Sequence, residues 1–197
     1  MSRWNDRAQA LDLQARPGSP RNSRERDHRS PSRSTPSTPR PRSPSSTAKD
    51  YKLELAGMIR DTKPWTLPEL YALPQTSQIT RHICVEGWSA IGKWSGVRFS
   101  DFLARIGADT TAKYIGFECA DDYSTSIDMA TALHPQTLLT FRFADEILPP
   151  KYGFPMKLRI PTKLGFKNPK HIVAMTVTNE YPGGYWEDQG TTGFSGS

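Results

Sequence analysis

At Tyr51 the chain changes character. From there Tyr51, Leu53 and Leu55 alternate with Lys52, Glu54 and Ala56 as far as Gly57, and that period of two marks a half-buried strand. Residues 79–86, 113–119, 123–127, 137–143, 156–160 and 171–179 carry similar β-rich or alternating patterns. Two short helices fit between them. The first spans residues 66–73, with Thr66 able to cap, Pro68 in the first turn, Glu69 at the third position and Pro74 as the stop. The second spans residues 100–106, with Ser100 as N-cap, Asp101 in the first turn, and Phe102, Leu103 and Ile106 as its apolar face. Strands dominate and helices only punctuate them, so the expected class is α+β with mixed or antiparallel sheets, not a doubly wound parallel sheet.

Before Tyr51 the pattern is absent. Residues 1–50 hold eleven Lys and Arg against five acids, whereas residues 51–197 balance at fifteen against fifteen, so the net charge of +6 belongs to this stretch alone. It is rich in Arg, Ser and Pro, with few large apolar residues after Leu13. Such a composition buries too little surface to offset its ordering entropy, and predicts a disordered tail over 1–50 ahead of one folded domain at 51–197. No aromatic residue is interleaved with the arginines after Trp4, so nucleic acid is not the favoured partner. No apolar run of a dozen residues occurs, which predicts no transmembrane segment and no signal-peptide core.

The residue that draws most attention is Cys84, in the run Arg81-His82-Ile83-Cys84-Val85-Glu86-Gly87-Trp88-Ser89. Read alone, a single Cys in an apolar stretch is more often inert packing than a metal ligand. A Cys hydrolase with His82 or His134 as base lacks a third orienting group. Cys119 is thirty-five residues away with no CxxC spacing, and nothing specifies a disulfide. Three further stretches read as functional loops: Trp94 to Val97, Pro149 to Pro155 with Tyr152 and Gly153, and Lys163 to Lys170. The last sets several lysines around Gly165 and Pro169, as a phosphate would require, although the GxxxxGK[ST] order is missing.

The runs CVEGWSAIGKWSG at 84–96, LHPQTLL at 133–139 and LPPKYGFPMKLRIPTKLGFKNPKHI at 148–172 together resemble the molybdopterin-binding domain of the sulfite oxidase family. Within it, they are nearest to the catalytic subunits of the bacterial periplasmic methionine-sulfoxide reductases. The likeness covers residues 51–192. It implies the family's molybdopterin fold and a molybdenum–molybdopterin cofactor whose metal takes one protein thiolate, at the position of Cys84. A soft thiolate suits such a metal. The positions matching the family's cofactor contacts are Cys119, Tyr152, Lys157, Asn168, Pro169 and Lys170. The reductases carry Thr, Asn and Arg at the first three, and Lys157 keeps the charge without the bidentate fork of Arg.

The resemblance further implies oxygen-atom transfer on a small substrate. The arginine pair that suits sulfite is replaced here by Trp88 and Ser89, which favours a sulfoxide. Tyr123 is the expected catalytic companion of Cys84, and Asp121, Asp122, Trp94 and His134 are further candidates for the pocket. Electrons would pass to a separate haem or quinone partner, since the sequence holds no CxxCH. The family's compartment is periplasmic, and a chain complete as written would be cytoplasmic. The alternative is a β-rich binding module that keeps the fold without metal and offers Trp88, Trp94 and Trp186 as contact surfaces.

Overall fold

The computed structural model describes residues 50–196, so the expected tail over 1–50 lies, but for Asp50, outside the described residues. Two sheets of five strands each make the framework. The elements in order are β1 (Lys52–Gly57), β2 (Trp65–Thr66), α1 (Leu67–Tyr71), β3 (Thr76–Ile83), β4 (Ser89–Arg98), α2 (Phe99–Arg105), β5 (Tyr114–Cys119), β6 (Ser124–Asp128), α3 (Met129–Leu133), β7 (Leu138–Phe143), β8 (Glu146–Ile147), β9 (Lys157–Arg159) and β10 (Ile172–Thr178). The α+β expectation is met.

The first sheet runs β2-β1-β10-β5-β6. Its first and last long strands, β1 and β10, lie side by side and parallel, with Glu54 opposite Ala174, and the other pairs are antiparallel. The second runs β3-β4-β7-β8, with β9 also paired to β7. Between them lies the apolar core, in which Phe99, Phe102, Leu103 and Ile106 from α2 and its end meet Ile115 and Val177, all 0 % exposed. Phe102 also receives the edge of Trp65, with ring centroids 5.4 Å apart. No helix among the described residues is long and apolar enough to cross a membrane.

Several boundaries differ from expectation, each for a local reason. β4 is the longest strand at 10 residues, although Trp94 to Val97 reads as a loop because of Gly96. Gly92 and Gly96 serve close approach instead of turning. A Cβ on Gly96 would overlap the carbonyl of Leu139 at the register shift between β4 and β7, and one on Gly92 would press on the Phe143 ring. Ser100 does not cap α2. Arg98 occupies the cap position, and the amide of Phe99 is satisfied by the carbonyl of Thr137 at 2.9 Å. The short α3 was not anticipated. Asp128 starts it, accepting from the Thr131 amide and hydroxyl, both at 2.7 Å. Around α1 the expected capping box is present.

After β10 the chain doubles back and is fastened to the loop preceding that strand. Lys167 and Glu187 form an ion pair with side chains only 1 % exposed. Lys167 Nζ also donates to the Ser126 carbonyl at 2.6 Å, and Glu187 Oε1 accepts from Thr125 Oγ1 at 2.6 Å. The Leu164 amide donates to the Ser195 carbonyl, and Lys163 bridges to Gly196. A buried cation left without its carboxylate is strongly unfavourable. Glu187→Gln is expected to lower the free energy of urea unfolding by about 3–5 kcal/mol, and a loss under about 1 kcal/mol would show the pair to be of the weak, solvated kind.

Candidate functional site

The site is assembled from the tip of the β3–β4 hairpin, strand β9 and the loop 163–170. The strand expected to run through Glu86 stops at Ile83, because Gly87 adopts φ +91° and folds the chain back. The Cys84 amide donates to the Trp88 carbonyl at 2.9 Å and the Gly87 amide to the Cys84 carbonyl at 3.1 Å. Cys84 is therefore the first residue of a tight turn, not a strand residue, and it is only 4 % exposed. Its Sγ donates to Glu86 Oε2 at 3.8 Å, and the same oxygen accepts from Trp88 Nε1 at 3.0 Å. Neither Cys84 nor Cys119 is in a disulfide.

Strand β9 supplies the charge. Lys157 and Arg159 alternate with Leu158, so both point to one face, and they are 2 % and 0 % exposed. The ammonium and guanidinium lie 5.4 Å and 5.7 Å from the ring centre of Trp94. Trp94 itself is 1 % exposed in mid-strand, packed on Phe143 beside Leu148 and Tyr152, which removes it as a surface contact. Tyr152 packs its ring on Phe143 at 4.8 Å.

Arg159 reaches further. Its Nη2 donates to the Arg81 carbonyl at 2.7 Å and to Thr80 Oγ1 at 3.2 Å, and Nη1 donates to Asn168 Oδ1 at 3.0 Å. Strands β9 and β3 are separated in the sheet by β7 and β4, so the sheet curls until one side chain spans its two margins.

The loop closes over this gap. A Cβ on Gly165 would stand 3.0 Å from His82 Nε2, so glycine lets the loop lie against that ring without pressing on it. Asn168 is 2 % exposed, and its amide is engaged within the protein: Oδ1 also accepts from the Ile160 amide at 2.7 Å, and Nδ2 donates to the Leu164 carbonyl at 3.0 Å. The Pro169 carbonyl accepts from Leu158 N at 3.0 Å, and Lys170 bridges to Lys157. Cys119 lies beside Lys170, whose backbone bonds its thiol, and burial pushes that thiol well above its ordinary pKa. Tyr123 donates its hydroxyl to the Phe166 carbonyl at 2.6 Å, bracing the loop. Asp121 and Asp122 are exposed turn residues, and His134 ends α3, accepting from the Gln136 amide.

Sequence reasoning missed Arg159. The signal was present: Lys-Leu-Arg between Met156 and Ile160 sets two charges on the face opposite an apolar one.

The electrostatics are one-sided. Among the described residues Arg159 has no carboxylate partner, and its Nε and the Nδ1 of His82 are buried without a hydrogen bond. Burial first, then the charges of Lys157, Arg159 and Lys170, hold the His82 pKa down to about 3. Such an imidazole is too weak a base to activate a Cys nucleophile at neutral pH. Buried cations and unpartnered polar atoms on the end of β3 that leads into Cys84 fit an anionic, phosphate-bearing group that also offers a soft metal. No three His, Cys, Asp or Glu side chains gather into a metal-ligand set among the described residues. A depression of about 410 Å³ at Met58–Arg60 and Gly107–Asp109 involves none of these groups.

Residues 40–186 match the model of the oxidoreductase molybdopterin binding domain. The chain is 67 % identical over 150 residues to a putative protein-methionine-sulfoxide reductase subunit YedZ1 of Azospira oryzae, covering 76 % of this chain and 57 % of that protein. It is 30 % identical over 152 residues to the protein-methionine-sulfoxide reductase catalytic subunit MsrP of Ralstonia nicotianae, covering 69 % of this chain and 46 % of that one. The chain thus spans about half the length of the curated relatives it matches. Among solved structures, the sulfane dehydrogenase SoxCD of Paracoccus pantotrophus superposes with a TM-score of 0.64 at 21 % identity, over 68 % of this chain and 39 % of that one. The fold is of the sulfite oxidase type, and the chain belongs to the oxidoreductase molybdopterin-binding domain family, whose cofactor is the molybdenum-bearing molybdopterin.

Proposed function

We propose that residues 51–197 form the catalytic domain of an oxidoreductase that removes the oxygen atom from a sulfoxide, with Cys84 as the single protein ligand to the metal. The observation that carries this reading is the gathering of Lys157, Arg159 and Lys170 where β9 meets the loop 163–170, with Arg159 reaching the Arg81 carbonyl three residues before Cys84. An anionic cofactor answers both the charge and the thiol. Lys157 and Lys170 would hold its phosphate, with Pro169 and Asn168 fixing the loop that carries Lys170 and with Cys119 and Tyr152 lining the approach.

When bound, molybdenum supplies two-electron oxygen-atom transfer, so that a sulfoxide, two electrons and two protons give a thioether and water. The chain's own residues select what approaches. Glu86 sets a carboxylate within 3.8 Å of the Cys84 sulfur, which repels a sulfite dianion and tolerates a neutral sulfoxide. Trp88, bonded to that carboxylate, adds an aromatic face that suits a sulfur-bearing group. Tyr123 braces the loop 163–170 from the other side. The names of the MsrP and YedZ1 relatives support the sulfoxide. The electrons are taken to arrive from a separate haem or quinone partner.

The deciding experiment is molybdenum content by elemental mass spectrometry of the full chain made in a host that synthesises molybdopterin, beside Cys84→Ser. Near-stoichiometric metal in the wild type, with loss of the thiolate charge-transfer absorption in the variant, is the expected result. Absence of both metal and pterin would leave the metal-free binding module. A second outcome concerns the cradle. Lys170→Ala removes one charge-assisted contact to phosphate, and should weaken pterin retention by about 10- to 100-fold, read as pterin fluorescence after dialysis and denaturation. Unchanged retention would place the phosphate elsewhere.

A further inference from the structure

We propose that Arg159 is a positioning residue that couples occupancy of the phosphate cradle to the geometry of the Cys84 turn. This rests on the reading above, in which Lys170 and Cys84 serve one cofactor. Three observations support it. First, the guanidinium contacts the two parts of the site that the backbone does not join. Nη1 holds Asn168, the residue two before Lys170, and Nη2 holds the carbonyl of Arg81, the residue three before Cys84. Second, the contact is rigid: Arg159 is 0 % exposed, its plate faces Trp94, and Asn168 is itself tied at the Ile160 amide and the Leu164 carbonyl.

Third, the charge is not already committed. Burial lowers the Arg159 pKa only to about 10, so the group stays cationic, and its bonds all go to neutral acceptors. With Nε unpartnered, an anion arriving at Lys157 and Lys170 attracts the whole plate. A planar fork moves as one body, so displacement toward the anion draws on Asn168 and Arg81 together. A lysine at 159 would keep the charge but not the span, because one ammonium cannot hold both acceptors in a fixed fork. Gly165 lies against His82, so the loop and the end of β3 already share a boundary along which such a shift passes.

Hydrogen–deuterium exchange of the full chain, made in a host unable to synthesise molybdopterin, tests this with and without inorganic pyrophosphate as the probe. Mass spectrometry follows two peptides, one spanning the turn 84–88 and one spanning 165–170, in wild type, Arg159→Met and Arg159→Lys. Pyrophosphate is expected to slow exchange at 165–170 in all three proteins. At 84–88 it is expected to slow exchange about fivefold or more in the wild type, the lower end of usual inter-site coupling, and to have no effect in either variant. A wild-type response at 165–170 alone, or a variant that keeps the full response at 84–88, overturns the coupling and leaves the proposed function standing. No response at 165–170 in the wild type sinks the cradle and the coupling together. If Arg159→Met does not fold, Arg159→Lys decides by the same criterion.

Discussion

The site depends on one side chain spanning the margins of a curled sheet. Backbone hydrogen bonds run from β3 through β4 and β7 to β9 and on to the loop at Pro169 and Lys170, but no strand pairing joins β9 to β3. The Arg159 guanidinium bridges β9 to β3 through Thr80 and Arg81, and to the loop through Asn168. An interior so closed is polar as well as apolar: Trp94 is its floor, and Lys157, Arg159 and His82 are its walls. Such an interior adds little to stability by itself, because desolvating cations offsets most of what their contacts return. Its value lies in holding charge where a ligand can meet it.

The second dependence lies at the far end of the loop 163–170. That loop has to remain in place without a strand of its own; the chain after β10 secures it through Lys167 and Glu187 and through Ser195 and Gly196, and Tyr123, ahead of β6, braces it as well. The buried ion pair costs desolvation on both sides. It differs from the Arg159 region in that its charges cancel. The fold thus uses compensated charge where only a fastening is needed, and an uncompensated guanidinium on the Arg81 carbonyl, three residues before Cys84.

Much of the framework was legible because alternation is a local property. Leu53 and Leu55 in β1, residues 114–119 in β5 and the capping box at Thr66 and Glu69 follow from neighbours along the chain. What escaped depends on residues far apart. Gly96 reads as a turn former, and only the facing Leu139 shows it to be a site of close approach inside β4, as Phe143 does for Gly92. Ser100 does not cap because the helix begins at Phe99, whose amide is met by the Thr137 carbonyl just ahead of β7. At the site, the resemblance named residues by position, and the structure gives several of them tasks within the protein: Asn168 holds the loop and Tyr123 braces it. Arg159 needed both its strand alternation and the sheet curl to be seen.

The lysine at 157, where the resemblance puts an arginine in the reductases, gains a physical sense from its neighbour. A guanidinium at 157 beside another at 159, both over one Trp94 ring, would crowd two planar forks into one buried wall. An ammonium is compact and leaves space for the plate of Arg159 to lie across to β3. The fork chemistry is then present but displaced by two residues, where it serves the protein's own acceptors instead of the ligand. With Arg159 lacking a carboxylate, part of its desolvation cost remains in the ligand-free protein. An anionic ligand that relieves this cost binds the folded state in preference to the unfolded one, so stability and loading are linked. In the proposed arrangement Lys157 would answer the ligand's charge, and Arg159 would carry its arrival to the turn at Cys84.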